Sequence, residues 1–591
     1  MSNPLLALPF EPSIEGLGGA YWDVVEAAVF PRTQLRFRNE ALLRQLGVEP
    51  DGVSDQDFEG AYGRFEERVP LLALRYHGYQ FGTYNPQLGD GRGFLYGQLR
   101  DRTGQLQDIG SKGSGTTPWS RGGDGRLTLK GGVRELIASE ALQRLGVTTS
   151  RTLSLIETGE ELWRSDEPSP TRSAVMVRMA RTHLRFGSCE RLLYLRDPQG
   201  LERLLRHVVA VYYPDVAAAH PAPDGDRLAL EHQLLAFYGE LVERVARLAA
   251  EWMAAGFVHG VLNTDNMSLA GESFDYGPFA FLDRWDPSFT AAYFDQTGLY
   301  SYGRQPAICR KNLQLLQNPL AMLLPRPPME QSLERYASTY QNHYRFCLLR
   351  RLGLTPNPDL DSDERVVSAT LELLASWPVG YGDFFAGLAS VVQSAGLPHE
   401  PEGLPVVLND VPEPAREMWQ NWRDAWWWQT QARESPGSEP VASVSERLRR
   451  LGLTPNSDLD SDERLVSATL ELLASWPVGY GDFFAGLASV VQSAGLPQEP
   501  DGLPVVLPDC SAPPRQLWQN WRDAWWWQTQ ARAVPGSEPV ASVSERLRRW
   551  NLSQTPTRPL IESLWEPIDQ DDDWRPLQGW LISAGAPDDE G

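Results

Sequence analysis

Two oxygen-bearing side chains, Asn266 and Asp275, have the type and spacing expected of a metal site. Asn266 ends the run His-Gly-Val-Leu-Asn-Thr-Asp-Asn, and Asp275 begins Asp-Tyr-Gly nine residues later. Both offer the oxygen ligands that suit Mg²⁺, which binds one or two protein oxygens beside the phosphates of a substrate. Asp265 adds a carboxylate next to them. The order of these residues predicts a nucleotide–metal site, although Asp-Asn and Asp-Tyr-Gly taken singly are common in turns.

The residue at position 261 limits the chemistry that this loop can perform. Kinase-like phosphotransferases with a His-Gly-Asp loop place their catalytic base two residues after the histidine. Here His259 is followed at that position by Val261. Because valine cannot accept a proton, activation of a hydroxyl by a base at this position is excluded. His259 itself is expected to be a structural residue of the loop.

A basic, glycine-rich stretch provides a second candidate site, in this case for an anion. Between Arg92 and Arg134 there are eight Lys or Arg residues and only three acids, and three glycine clusters lie in or beside this stretch. Glycine lets backbone N–H groups approach an anion closely, and the neighbouring cations supply charge. The charge excess alone would also fit a solvated surface. The glycine clusters, with Lys112 inside one of them, favour a phosphate site.

Two arginines, Arg178 and Arg185, lie seven residues apart in the segment Val177–Gly187. If this segment is a strand followed by a turn, both guanidinium groups can approach a triphosphate. The alternative is a β-ribbon on the surface with scattered arginines. Both interpretations stay open from the residues alone.

The composition indicates a large folded protein and argues against several classes. The chain has 591 residues, of which 42% are hydrophobic and 22% charged, enough for about two to four domains. Its net charge of −23 disfavours a general nucleic-acid binder, which needs a basic surface against the phosphates. Four scattered cysteines are too few for a disulfide scaffold or a cysteine-rich zinc site. Because neither a membrane-spanning apolar run nor a targeting signal is recognisable, we expect a cytoplasmic protein.

The elements that must position these groups follow from apolar periodicity and from glycine stops. Residues 15–47 are predicted to be largely helical, from the spacing around Tyr21–Val25 and Asn39–Leu46. The other predicted elements are strands and turns over 70–131, a helix over 132–146, strands over 152–157 and 174–179, and a helix over 228–256. Strands, one helix, more strands and then a helical region make an α+β chain. Their order matches a two-lobed, protein-kinase-like architecture.

The C-terminal part contains a tandem repeat. Residues 352–450 recur at 451–549 with 13 differences in 99 positions, which indicates duplication of an accessory, mostly helical module. In the first copy Trp419, Trp422 and Trp426 share one helix face, which favours a core stripe over a platform for stacking a base. The predicted domains are an N-terminal helical segment (1–60), a nucleotide-binding region (61–190), a catalytic region (191–351), the two repeat units (352–450 and 451–549) and an acidic C-terminal tail (550–591).

Four segments of the chain together resemble the SelO/YdiU family of protein nucleotidyltransferases, which have a protein-kinase-like fold. They are Gly82–Leu99, Asp108–Ala141, Val177–Gly187 and His259–Leu282. They occur in the family's order, and the resemblance covers about residues 30–310, so that the duplicated unit lies outside the usual family pattern. Tyr79 stands where a histidine is common in the family. No selenocysteine or C-terminal cysteine supports the redox device of some relatives.

The resemblance implies a pseudokinase that binds ATP in a flipped orientation. Such an enzyme transfers AMP to a Ser, Thr or Tyr hydroxyl of a protein and releases pyrophosphate. Asp265 is then the proton acceptor, and Asn266 and Asp275 bind Mg²⁺ or Mn²⁺. Lys112 holds phosphates and pairs with Glu135. The residues implied around the nucleotide also include Gly89, Gly91, Arg92, Asp124, Gly125, Arg178, Arg185 and Asp275.

Two other functions stay open. One is transfer of UMP from UTP, favoured by Mn²⁺, since groups that bind phosphate and metal do not select the base. The other is a nucleotide-binding scaffold without catalysis, in which the tryptophan-rich modules form the interaction surface. Phosphoryl transfer is the least favoured reaction because of Val261. The expected partners are ATP and acceptor proteins, without nucleic acid or membrane.

Overall fold

The computed structural model describes residues 3–165, 167–354 and 549–584, together with scattered positions between 364 and 386. The chain divides into two compact units. The first consists of residues 1–282, 287–344 and 554–591, and the second of residues 283–286 and 345–553. The predicted repeat units, apart from a few positions, and the tryptophans Trp419, Trp422 and Trp426 lie outside the described residues.

The first unit is built around a large antiparallel sheet. The strands are β1 Trp22–Val25, β2 Gln34–Arg38, β3 Leu71–Leu74, β4 Gly78–Gln80, β5 Thr83–Asn85, β6 Leu95–Arg100, β7 Leu106–Lys112, β8 Leu127–Thr128, β9 Arg151–Leu162, β10 Thr171–Ala180, β11 Phe257–Val258 and β12 Ala280–Phe281. The large sheet has the order β1-β3-β6-β7-β10-β9-β2, and β8 also pairs with β10. The hairpin β4–β5 and the pair β11–β12 form two small separate sheets.

Among the described helices, the first three lie between strands of the large sheet along the chain, and the others follow β10. The helices are α1 Glu40–Gln45, α2 Asp55–Phe58, α3 Leu129–Arg144, α4 Phe186–Tyr194, α5 Pro198–Tyr212, α6 Pro214–Ala219, α7 Arg227–Ala255, α8 Gln305–Leu320, α9 Arg326–Arg351, α10 Arg558–Asp571 and α11 Arg575–Ala584. The structure is thus a mixed α/β fold, and the predicted strands over 152–157 and 174–179 and the helices over 132–146 and 228–256 are confirmed. Among the described helices, none is long and apolar enough to cross a membrane.

The helices that matter most for the candidate site are fixed at both ends by their sequence. The side chain of Thr128 accepts a hydrogen bond from Gly131 N and caps the start of α3, and Asp226 caps α7 in the same way through Ala229 N. The long helix α7 ends at Gly256. The left-handed φ of 69° at this residue lets its backbone N–H donate to carbonyls of the last helical turn. Helix α3 packs against β9 and β10. This packing fixes the position of every side chain that α3 directs towards the sheet.

Two expectations, a largely helical segment over 15–47 and an N-terminal helical segment over 1–60, are wrong for residues 22–38, which contain the strands β1 and β2. Residues 22–25 form β1, in which Trp22 lies opposite Leu74 of β3, and β2 pairs with β9. The helical part begins at Glu40, after the cap residue Asn39. A short apolar run fits a helix or a strand equally well, and here pairing with the edge of the sheet decided the outcome.

The expectation of an acidic tail over 550–591 is also wrong for the described part, residues 550–584. These residues form α10 and α11, which pack against α3 and bury Trp565 and Trp580. One residue of the acidic run contacts the sheet, since Asp572 lies 3.0 Å from Arg36 of β2 and 2.6 Å from Arg172 of β10. The sheet thus supplies two cations that pair with Asp572, while the tryptophans supply buried apolar area.

We expect Trp565→Ala to lower the free energy of unfolding by about 3 kcal/mol, because it leaves a large cavity between α10 and its neighbours. The side chain of Trp565 is 6% exposed, whereas Ile582 of α11 is 83% exposed. Ile582→Ala is therefore the matched control and should unfold like the wild type. Urea unfolding of the full chain measures both. Equal stability of the two variants would show that these helices are not part of the folded core.

Candidate active site

A cavity of about 590 Å³ is lined by the last two residues of β7 and by Arg178 of β10. Ten of the twelve predicted site residues line it: Gly89, Gly91, Arg92, Lys112, Asp124, Gly125, Arg178, Arg185, Asp265 and Asp275. The other two, Glu135 and Asn266, are not part of the lining. Residues from widely separated parts of the sequence therefore meet around one space of a size suited to a small ligand.

The predicted glycine clusters 89–93 and 121–126 lie in two loops, residues 88–93 and 113–126, that are bound to each other. The Trp119 ring packs so closely on Gly89 that a Cβ there would lie 2.4 Å from the ring. Ser120 Oγ donates a hydrogen bond of 2.6 Å to the carbonyl of Gly91. The indole N–H of Trp119 donates to Asp23, at 2.9 Å, which anchors the second loop to β1. The glycines are thus needed for close packing of backbone and ring.

Lys112, the last residue of β7, joins the sheet to α3 and to the Asp-Tyr-Gly segment. Its Nζ forms a hydrogen-bonded ion pair with Glu135 of α3 and lies 2.9 Å from Asp275 Oδ1. The side chains of Lys112 and Glu135 are both buried. A buried ion pair is sensitive to geometry, since removal of one partner leaves an uncompensated charge. The position of α3 is therefore coupled to the charge state of the site.

Arg178 and Arg185 are buried, which excludes the surface β-ribbon. Arg178 is in β10, and its Nη1 lies 3.3 Å from Asp275 Oδ1. Arg185 immediately precedes α4, and its Nη1 lies 3.6 Å from Asp275 Oδ2. The guanidinium of Arg185 also stacks on the Tyr76 ring, 4.0 Å from its centroid. Both arginines thus direct their charge towards the same carboxylate.

The carboxylate of Asp275 is the centre of this charge cluster. Burial alone would raise its pKa, but the charges of Lys112, Arg178 and Arg185 hold the pKa well below the usual value. The residue also has a left-handed φ of 66°, an uncommon backbone conformation that is typical of functional sites. Asp275 is therefore ionised and fixed in place, and three cations surround it.

Asp265 lies on a 3₁₀ turn, Thr264–Asn266, whose position is fixed by two hydrogen bonds to Thr264. The hydroxyl of Thr264 donates to Glu190 of α4 and accepts from the backbone N–H of Tyr79 in β4, each at 2.7 Å. Within the described part of the chain, Asp265 Oδ1 is buried without a hydrogen-bond partner. Burial raises the pKa of Asp265 to about 6, although the charge of Arg185 opposes this effect. Asp265, which lines the cavity, thus carries a carboxylate that can accept a proton.

The donor set fits a hard divalent cation that keeps water and phosphate ligands. The side-chain N–H of Asn266 donates to the carbonyl of Val261 at 2.9 Å, which leaves the amide oxygen of Asn266 for a ligand. Asp275 supplies an ionised carboxylate. In the residues that the structure describes, no group of three or more His, Cys, Asp and Glu side chains could hold a metal ion. One amide and one carboxylate oxygen are what Mg²⁺ takes beside substrate phosphates.

The cavity also contains charged residues that the sequence analysis did not assign to a site. They are Asp90, Arg121, Arg126, Arg164 and His183. Arg121 and Arg126 belong to the basic stretch of the sequence. Arg164 lies beyond the end of β9, and no motif or charge pattern in the sequence pointed to it. It pairs with Asp124 at 2.8 Å. Among the described residues, the side chains of Arg92 and Arg121 have no ion-pair partner, so that both are available to an anionic ligand.

His259 has the structural role expected of it. The residue is fully buried, its backbone N–H donates to Gln305, and its Nε2 lies 3.2 Å from the carbonyl of Phe274. The imidazole therefore links the loop before Asp265 to the segment before Asp275. It does not line the cavity.

The fold and the site describe a nucleotide-binding enzyme, and comparison with known proteins agrees. The family described as "Protein adenylyltransferase SelO" matches residues 4–449 and again residues 441–584. A "Protein nucleotidyltransferase YdiU" from Synechococcus elongatus is 44% identical over 582 residues, which are 98% of this chain and 95% of the relative.

Two further relatives carry the same name. The protein from Gloeobacter violaceus is 52% identical over 449 residues, covering 76% of this chain and 89% of the relative. The protein from Synechocystis is 55% identical over 392 residues, covering 66% and 80%. The chain therefore belongs to the SelO/YdiU family, an enzyme family of nucleotidyltransferases.

We expect Gly89→Ala to weaken ATP binding by at least about tenfold, because the added methyl displaces Trp119 and separates the two glycine loops. A Cβ at Gly19 would have no atom within 4 Å, so Gly19→Ala is the matched control. Titration of each variant with ATP measures the effect. An affinity of Gly89→Ala equal to that of the control would show that the contact between the loops does not shape the site.

Proposed function

We propose that this protein transfers AMP from ATP to Ser, Thr or Tyr hydroxyls of other proteins and releases pyrophosphate. The observation that carries this proposal is the arrangement around one cavity. A half-buried, ionised Asp275 is surrounded by three cations, and Asp265, with an unpaired buried oxygen, lines the same space. Phosphorus chemistry needs positioning and charge neutralisation more than covalent catalysis, and these are the features that the residues supply.

The proposed step is a displacement at the α-phosphorus of ATP. The acceptor hydroxyl oxygen forms a bond to this phosphorus, and the bond from phosphorus to the bridging oxygen of the β-phosphate breaks. Pyrophosphate leaves with the electron pair of that bond. Asp265, whose carboxylate lines the cavity, accepts the proton of the hydroxyl. The loss of the usual kinase base at Val261 is compatible with this step, because the base is supplied four residues later.

We further propose that ATP binds in a flipped orientation. The β- and γ-phosphates then lie against Lys112, Arg178 and Arg185, and the α-phosphate lies towards Asp265. Two observations support this orientation. The three cations are buried and clustered, as is suited to the most highly charged part of the nucleotide. Arg185 also donates to the backbone carbonyl of Asp265 at 3.0 Å, so the proton acceptor lies next to the cluster.

Mg²⁺ or Mn²⁺ is the proposed cofactor, held by the amide oxygen of Asn266 and the carboxylate of Asp275. Such an ion would neutralise the negative charge that develops on the phosphate oxygens. Around it, Lys112 and Arg178 orient the carboxylate of Asp275, and Val261 orients the amide of Asn266 through its carbonyl. UTP with Mn²⁺ is the alternative substrate, because none of these contacts selects a base.

The protein-kinase-like, two-lobed organisation also belongs to this proposal. It is supported by the antiparallel strands that end in Lys112, by α3 carrying its partner Glu135, and by the helical region that follows. In this organisation residues 61–190 bind the nucleotide and residues 191–351 carry the catalytic loop. The expectation that the duplicated unit lies outside the usual family pattern is wrong, because the family match covers both repeat units. An accessory role for the units 352–450 and 451–549 stays a prediction. A cytoplasmic location remains a prediction.

Radiolabelled ATP distinguishes the proposed reaction from its competitors. With label at the α-phosphate we expect acceptor protein to become labelled, whereas label at the γ-phosphate should appear only in pyrophosphate. Asp265→Asn should lower the transfer rate by about 100-fold or more, because the base is lost while the shape of the loop is kept. Label on protein from the γ position would overturn the proposal. Retained ATP binding without transfer, under either metal and with UTP, would favour the scaffold.

Asp275→Asn should abolish ATP-dependent Mn²⁺ binding as well as transfer, because an amide replaces the ionised oxygen ligand. Asp224 has a fully exposed side chain, so Asp224→Asn is the matched control and should behave like the wild type. Electron paramagnetic resonance of Mn²⁺ in the presence of ATP measures binding independently of turnover. Wild-type Mn²⁺ binding and turnover in Asp275→Asn would refute the metal assignment.

A further inference from the structure

A histidine at the wall of the cavity connects a buried carboxylate to Arg178. His183 follows β10 and is almost fully buried, and Asp108 of β7 is completely buried. Asp108 Oδ2 accepts from the backbone N–H of His183 at 2.7 Å and lies 3.2 Å from its Nδ1. On the other side of the ring, Arg178 Nε lies 3.2 Å from His183 Nε2. The three side chains therefore form one chain of hydrogen bonds.

The direction of these hydrogen bonds follows from the arginine. An arginine Nε–H can only donate, so that His183 Nε2 must accept and carries no proton. The remaining proton is then on Nδ1, and it is donated to Asp108. Asp108 is held in turn by Gln98, whose Nε2 donates to Oδ1 at 2.7 Å. The network thus specifies one neutral tautomer of His183 and one orientation of its ring.

The sheet leaves space for this imidazole at one position. Gly110 of β7 lies opposite Arg178 of β10 in the antiparallel register. A Cβ at Gly110 would lie 2.6 Å from both Cε1 and Nε2 of His183. The absence of a side chain at Gly110 is therefore what permits the ring to reach Arg178. Strand β7 itself therefore provides the space that the His183 ring occupies.

We propose that His183 is a positioning residue that holds the guanidinium of Arg178 in the orientation needed to bind the phosphates of ATP. Arg178 is held at Nε by His183 and at Nη1 by Asp275. For its Nη2, no hydrogen-bond partner is found among the described residues, and Arg178 lines the cavity. Fixing two of the three nitrogens lowers the entropy that the side chain loses when it binds a phosphate. This inference rests on the proposed function only in taking ATP as the ligand.

Two neutral substitutions separate the two contacts of the ring. Asn in His183→Asn has an amide near the position of Nδ1, so it can replace the contact to Asp108 but not the one to Arg178. Gln in His183→Gln reaches the position of Nε2 and can accept from Arg178. We expect the affinity for ATP, measured by calorimetry with Mg²⁺ present, to fall about tenfold in His183→Asn and to be largely retained in His183→Gln.

A double-mutant cycle with Arg178→Met provides the decisive measurement. If His183 acts through Arg178, His183→Asn should have no further effect on ATP affinity once the guanidinium is absent. The same loss of affinity in both backgrounds would overturn the proposal, since His183 would then act by itself. Equal losses in His183→Asn and His183→Gln would overturn it as well. Because binding is measured directly, these outcomes do not depend on whether AMP transfer occurs.

Further variants keep the test valid if His183→Asn folds poorly. Gly110→Ala leaves every charged group in place but obstructs the ring, and it should weaken ATP binding to the same extent as His183→Asn. The exposed His232 of α7 provides the control, and His232→Asn should bind ATP like the wild type. Thermal unfolding is recorded for each variant. Wild-type ATP affinity in a folded Gly110→Ala would contradict the proposal.

Discussion

The ionised carboxylate of Asp275, whose side chain is only partly accessible to solvent, is the constraint on which the site depends. An ionised group is stable away from water only when opposite charges and hydrogen bonds replace the lost hydration. Here the replacement comes from Lys112 at the end of β7, Arg178 in β10 and Arg185 before α4. These residues come from three separate elements, so the cluster forms only when the sheet and the start of the helical region are correctly assembled.

The same cluster links the parts of the cavity to each other. Lys112 connects it to Glu135 and thereby to α3, while Arg185 connects it to the carbonyl of Asp265. His183, which contacts Asp108 through one ring nitrogen, contacts Arg178 through the other. Because these contacts are buried, they are screened far less than the surface ion pairs around them. A displacement of any one element therefore changes the charge balance in the whole cavity, which is how remote packing influences ligand binding.

Some elements of the fold could be predicted from the sequence, and others could not. The helix over 228–256 was predicted because a long apolar period ends at a glycine, and both signals are local. The segment around Tyr21–Val25 was predicted as helix and is a strand, because its partner β3 lies about fifty residues away. The acidic end was expected to be a tail, but it forms helices that pack against α3 and bury Trp565 and Trp580. The errors thus occur where a distant partner decides the structure.

The candidate site shows the same division. The types and spacing of Lys112, Arg178, Arg185, Asp265 and Asp275 are written in the sequence, and they determined the class of chemistry, because carboxylates, cations and glycines have intrinsic affinities for metal and phosphate. The sequence could not show that Arg164 and His183 join the cavity, that Asn266 lies outside its lining, or which residues surround Asp275. Only the tertiary structure decided these points, because burial and hydrogen-bond direction depend on groups far apart along the chain.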